Sequence, residues 1–210
     1  MPLQRNEFLP QDLVTVYTSP SGLIDTRTGY AYVMGGLIVG GYFDLTEQEA
    51  QNYGRNQLHA GRYRFVQIDS GATASNIVQG SIGLMKAIAS GATAYSGGVN
   101  IITSYDKGLN AAVRPVVFLA AVTAAQVTAG AWVFVQELGD ASVLSKSGGV
   151  TNATPAVGDI INSVASGFVD DLATPGSIIP TTIGVALSAP SHTASALFRC
   201  LLENVPIIQG

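Results

Sequence analysis

Charge is scarce in this chain. Its 210 residues include ten Lys and Arg and fourteen Asp and Glu, or 11% charged, where an ordinary soluble chain carries about 25%. A compact monomer of 21.7 kDa exposes on the order of 9,000 Å². The formal charges are therefore spread at about one per 400 Å² of surface, sparse for a freely solvated protein. Either Ser, Thr, Asn and Gln solvate the surface, or much of it meets a partner. Lysine is scarcer still. Lys86, Lys107 and Lys146 are scattered and the net charge is −4. This argues against direct binding of nucleic acid, which needs clustered Lys and Arg.

Other absences remove whole classes of chemistry. The single cysteine, Cys200, excludes an intramolecular disulfide. With no His or acid near it in sequence, it reads as a small buried apolar residue. The two histidines, His59 and His192, have no metal-ligating partner three or four residues away. Asp170 and Asp171 are adjacent, so on a strand they point to opposite faces and form no carboxylate dyad. Asp159 lies near them in sequence, but no Asp-rich loop of calcium-binding spacing is present. The paired glycines of GGLIVGG (35–41) lack the lysine of a phosphate loop, and no Ser sits in a GxSxG frame. No catalytic centre, metal or cofactor is expected.

A long uninterrupted hydrophobic run is also missing. Pro115 to Gln136 contains no charged residue, yet Pro115, Thr123, Gln126, Thr128 and Gly130 break it well short of the ~20 apolar residues of a membrane helix. VVFLAAV (116–122) has strand length and β-branched content. Thr123 followed by Gln126 has the form of a capping box, which starts a helical turn. Gly130 ends that turn and AWVFVQ starts a strand. No membrane partner is expected. The N-terminal MPLQRNEFLPQ has no apolar core of signal-peptide length, so nothing there suggests export.

What the chain does have is strand and turn grammar. HAGRYRFVQID (59–69) reads as a strand with Tyr63, Phe65 and Gln67 on one face and Arg62, Arg64, Val66 and Ile68 on the other. DLTEQEAQNYGRNQ (44–57) is the best helix, capped by Asp44 or Thr46 with an acid three residues later, and short because Gly54 disfavours it. SIGLMKAIA (81–89), NIITSY (100–105), RPVVFLAAV (114–122), AWVFVQ (131–136), ASVLSK (141–146), TTIGVALSA (181–189) and SALFRCLL (195–202) complete the strands. ELGD (137–140) reads as a hairpin connection. TAGAWVFVQELGDASVL and AVGDIINSVASGFVDDL echo each other as Gly, strand, turn, strand. Tyr30, Tyr32, Tyr42 and Phe43 could make a sugar or peptide platform, though such a cluster usually belongs to a core.

Short strands with turns every 8–12 residues point to a mainly β fold, a barrel or sandwich, with one short helix. Residues 1–27 read as an extended N-terminal arm that buries little in its own domain. Residues 28–110 read as a β-rich layer and 111–210 as a barrel-like unit, unless 28–210 is continuous. The arm's apolar residues Leu3, Phe8, Leu9, Leu13, Val14 and Val16, with Tyr17, are the candidate contacts to a neighbouring subunit, LVTVYT (13–18) by strand addition.

The run AVRPVVFLAAVTAAQVTAGAWVFVQELGDASVL, then PAVGDIINSVASGFVDDL and TTIGVALSA, resembles the capsid decoration (cement) proteins of tailed bacteriophages, over roughly 111–210. That resemblance implies a compact β-barrel or β-tulip and a non-enzymatic role on the outer surface of the phage head. It implies binding to the major capsid protein and to copies of itself, often as a homotrimer. Another phage structural part (head fibre base, tail tube or minor tail protein) and a ligand- or carbohydrate-binding β domain remain open alternatives at this point.

Overall fold

The computed structural model describes residues 13–18, 42–54, 57–85, 101–104, 115–145, 155–163, 165–171, 182–190 and 195–203. Leu3, Phe8, Leu9, Tyr30, Tyr32, GGLIVGG and His192 lie outside them. The chain is mainly β. The described elements are β1 (Tyr42–Leu45), α1 (Glu47–Tyr53), β2 (Gly61–Ile68), a 3-10 turn (Ala74–Asn76), β3 (Ile82–Met85), β4 (Ile101–Ser104), β5 (Pro115–Phe118), α2 (Ala124–Thr128), β6 (Trp132–Leu144), β7 (Ile160–Ser163), β8 (Val169–Asp171), β9 (Thr182–Ala186) and β10 (Leu197–Leu202).

These strands form one ten-stranded sheet in the order β1-β2-β4-β3-β5-β6-β10-β9-β7-β8. The sheet as a whole is not closed, since β1 and β8 stand at its two ends. Within it β2 also pairs with β6, so the pairings β2–β4–β3–β5–β6 return to β2. The β2–β4 contact is parallel and the others antiparallel. Strands on either side of residue 110 are interleaved: β3 pairs with β5, and β2 with β6.

Both helices start as their local sequence dictates. Thr46 caps α1 and Thr123 caps α2. In each, the threonine side chain accepts from the backbone N–H three residues on, while Glu49 or Gln126 reaches back to the cap N–H. Gly54 closes α1 and Gly130, at φ +64°, closes α2. The expected single short helix is thus joined by a five-residue one. Asp44 belongs to β1 rather than to the cap.

The expected hairpin at ELGD does not form. Trp132–Leu144 is one continuous strand. Tyr63 pairs with Gln136 and Arg62 with Leu138, which makes Glu137 an extra, bulged residue. Gly139 takes φ +93°, and a Cβ there would lie 2.5 Å from the Ala60 carbonyl oxygen. The glycine therefore serves a tight passage beside β2 rather than a chain reversal. The Gln136 side-chain amide donates to the carbonyls of Leu138 and Asp140, at 3.3 and 2.8 Å, which pins the bulge. The echo segment does reverse: β7 and β8 pair as an antiparallel hairpin.

β2 is buried on both faces. Tyr63 and Phe65 pack with Leu13, Leu45, Leu58 and Phe134, whereas Val66 and Ile68 pack with Ile77, Phe118, Val133 and Val135. Its alternation places two apolar faces against two separate clusters. A third cluster, containing Ile161, Val169, Ile183, Phe198, Cys200 and Leu202, lies under the C-terminal strands.

Candidate interaction surface

The few described charges are largely used inside the chain. Arg62 lies opposite Asp44 across the β1–β2 pair, donating through Nε at 2.8 Å and Nη2 at 3.1 Å, and its guanidinium sits 4.3 Å from the Tyr42 ring centre. Arg64 makes a two-pronged pair with Glu137, at 2.6 and 3.0 Å. Those two side chains are only 11% and 1% exposed, so the bulge of β6 delivers a carboxylate into the interior where an arginine awaits it. Arg199 on β10 donates through Nε to Asp140 on β6 at 3.1 Å, and its Nη2 holds the other carboxylate oxygen. Glu47 accepts from the Ala60 N–H at 2.7 Å and from Gln51 Nε2 at 2.9 Å, and pairs with His59 Nδ1 at 2.8 Å. The hydrogen bond with His59, more than any other contact, holds its carboxyl below the ordinary value.

The C-terminal strands carry the opposite feature, an uncovered apolar face. Along β10, Phe198, Cys200 and Leu202 point inward, and Leu197, Arg199 and Leu201 point outward. Leu201 pairs with Val185 of β9, and Val185 with Ile160 of β7, so these three residues form a row across three strands. Leu187, whose N–H donates to the Arg199 carbonyl, lies one step along on the same face. Leu144, Ser142 and Asp140 of β6 face Leu197, Arg199 and Leu201 in register. Ile160 is 49% exposed, Leu197 45%, Leu187 40% and Leu201 37%. With Val157 in the preceding turn, this region holds every exposed large hydrophobic among the described residues except Tyr42.

The candidate arm contacts sit elsewhere. Leu13 is buried in the cluster with Tyr63 and Phe65, and Val14 and Tyr17 pack on its edge. Val16 packs on the neighbouring cluster. Tyr17 exchanges two backbone hydrogen bonds with Trp132, at 2.9 and 2.7 Å, and sets its ring edge-on to Phe65 and Phe134. The expectation that residues 1–27 bury little in their own domain is therefore corrected for 13–17. Apolar side chains with an open aromatic groove in their own chain fill it without a neighbour. LVTVYT forms a turn and an isolated bridge rather than a strand.

Of the remaining candidates, Phe43 stacks on Tyr63 at 6.0 Å and belongs to the core, whereas Tyr42 is exposed. Cys200 is buried, and that burial pushes its thiol up to about 12, far from a reactive thiolate. Asp159 accepts from the Ala156 N–H at 2.7 Å and closes the turn before β7. Among the described residues no three His, Cys, Asp or Glu side chains come together as a metal site. No helix among them is long and apolar enough to cross a membrane. Sequence reasoning missed the outer face of β10. Its signal was present in SALFRCLL, where both alternating sets contain leucine, unlike a strand with one solvated side.

Compared with family models, characterised proteins and solved structures, the chain matches none.

Proposed function

We propose that this chain is a non-enzymatic virion structural protein that binds the outer surface of a phage head and bridges its major capsid protein subunits. The observation that carries this reading is the uncovered apolar grid of Ile160, Leu187, Leu197 and Leu201, with half-buried Val185 between them, on a chain with so few charges. Such a surface costs free energy in water and suits a protein that spends its life assembled. Clamping an assembled shell stabilises it by binding that state in preference to its parts. A charge-poor contact also loses little solvation on burial. The resemblance of residues 111–210 to capsid decoration proteins points the same way.

With Leu13 to Tyr17 docked on the chain's own core, the arm's reach to a capsid subunit rests on Leu3, Phe8 and Leu9. The test is cosedimentation of the purified chain with heads of the phage that encodes it, prepared without this protein. Tight attachment is expected, little changed between about 0.05 and 0.3 M salt, because few ion pairs cross the contact. Deleting residues 2–12 should leave the melting temperature nearly unchanged and weaken attachment. Absence of cosedimentation at any salt concentration would overturn the reading.

A further inference from the structure

We infer that the outer face of β6, β10, β9 and β7 pairs with the same face of a second copy of this chain, sheet against sheet about a two-fold axis. This is the same face that carries the phage-head reading, but the pairing concerns the free chain in solution, so its failure and the failure of that reading are told apart.

Three observations select a second copy as the occupant. The first is extent. Val157, Ile160, Leu187, Leu197 and Leu201 together leave on the order of 400 Å² of apolar surface in water, the size at which the largest patch of a monomer is commonly functional. A specific interface buries about 800 Å² on each partner, a little over half of it apolar. The grid therefore supplies roughly the apolar share that one side of a standard interface requires.

The second is charge. The ionised groups on the grid, Arg199 and Asp140, are already joined to one another. Apart from Glu203, exposed just past the end of β10, the grid presents no net charge to steer or select an oppositely charged partner. Two copies of it can meet without like charges opposed.

The third is shape. Leu201, Val185 and Ile160 stand in one cross-strand row, with Leu187 and Leu197 on the next positions of the same face. Alternate residues of neighbouring strands make a corrugated surface that interdigitates with another sheet at about 10 Å. A patch used by both partners closes on itself by two-fold symmetry, whereas a three-fold ring needs two different patches on each subunit.

The test uses the full chain and no capsid. Light scattering during gel filtration, with sedimentation velocity across a concentration series, should show a dimer that dissociates on dilution. Leu187→Lys and Leu201→Lys, both at exposed positions, should each raise the dissociation midpoint at least about tenfold. Tyr42→Ser, at the exposed aromatic on β1 outside the grid, should leave it unchanged. Hydrogen exchange of the wild-type chain at high and low concentration gives a reading without substitutions: amides of β9 and β10 should be better protected at high concentration. A wild-type chain that stays monomeric, or forms a trimer, overturns the inference. So does a dimer that both lysine variants leave intact, or one in which Tyr42→Ser has the same effect as they do.

Discussion

The strands around β2 and the strands after β6 solve the same problem differently. β2 lies between two apolar clusters and shows water only part of Arg62 and Gln67, and its Arg64 is covered and paired with Glu137. β10 covers one cluster with Phe198, Cys200 and Leu202 and leaves Leu197 and Leu201 on the other side uncovered. β10 (LFRCLL) is the more apolar of the two strands (β2 is GRYRFVQI), so composition does not explain why β2 is the one covered on both sides. The difference lies in what the rest of the chain brings to the second face. Residues 13–17, α1 and β1 cover the aromatic side of β2; among the described residues nothing comparable covers β10. The first region is finished by its own chain, and the second keeps an apolar outer face.

The sharpest break of this contrast is at Phe65, which packs on Trp132 at 5.7 Å and on Phe134 at 4.8 Å. Phe65→Ala is expected to destabilise the chain by about 3–5 kcal/mol, the usual cost of emptying a buried aromatic site, as read from urea unfolding. A loss near zero would show that the region around β2 is no more complete than the C-terminal strands.

The next effect concerns the buried ion pair. Glu137→Ala strands the Arg64 guanidinium in the interior and should cost about 3 kcal/mol. The double replacement Arg64→Met with Glu137→Leu should recover most of that loss, because two apolar side chains of similar size leave no unpaired charge. The same unfolding measurement on all three variants closes the cycle. A double variant as unstable as the single one would mean that the pair contributes more than mutual neutralisation.

On the other side of the comparison, Leu201→Ser should change the stability of the chain by no more than about 0.5 kcal/mol at high dilution, as exposed substitutions generally do. A loss of core size would show that the outer face is covered within the monomer.

The smallest effect is with pH. The Glu47 carboxyl is held below its ordinary value of 4.5, so the folded state favours its ionised form. That contribution is fully present above the ordinary value and fades as pH falls through the lowered one. Thermal stability should thus decline below about pH 4.5, and Glu47→Gln should flatten that part of the profile. An unchanged slope would remove Glu47 from the acid response.

Much of this was legible at short range. The capping boxes at Thr46 and Thr123 link residues three apart, and both formed as the spacing indicates. The alternation in HAGRYRFVQID placed Tyr63 and Phe65 against Val66 and Ile68, as the two clusters confirm. What misled was equally local. ELGD has turn composition, but β2 and β10 hold its two ends along one strand and convert the turn into a bulge. LVTVYT alternates, but its apolar side chains found an aromatic groove rather than a strand partner. The outer face of β10 could not be told from its inner face, since leucine stands on both.

By itself the sequence determined a mainly β chain, where its two helices begin, and a surface with little charge, because those depend on backbone preference, neighbouring side chains and composition. Only the tertiary structure decided that Glu137 is buried against Arg64, that Leu13 belongs to the core with Tyr17 packed on its edge, and that Ile160, Val185 and Leu201 line up in one row on the outer face. Each of those outcomes depends on which distant strand arrives alongside, and a period-two pattern says which residues share a face without saying which face will be covered.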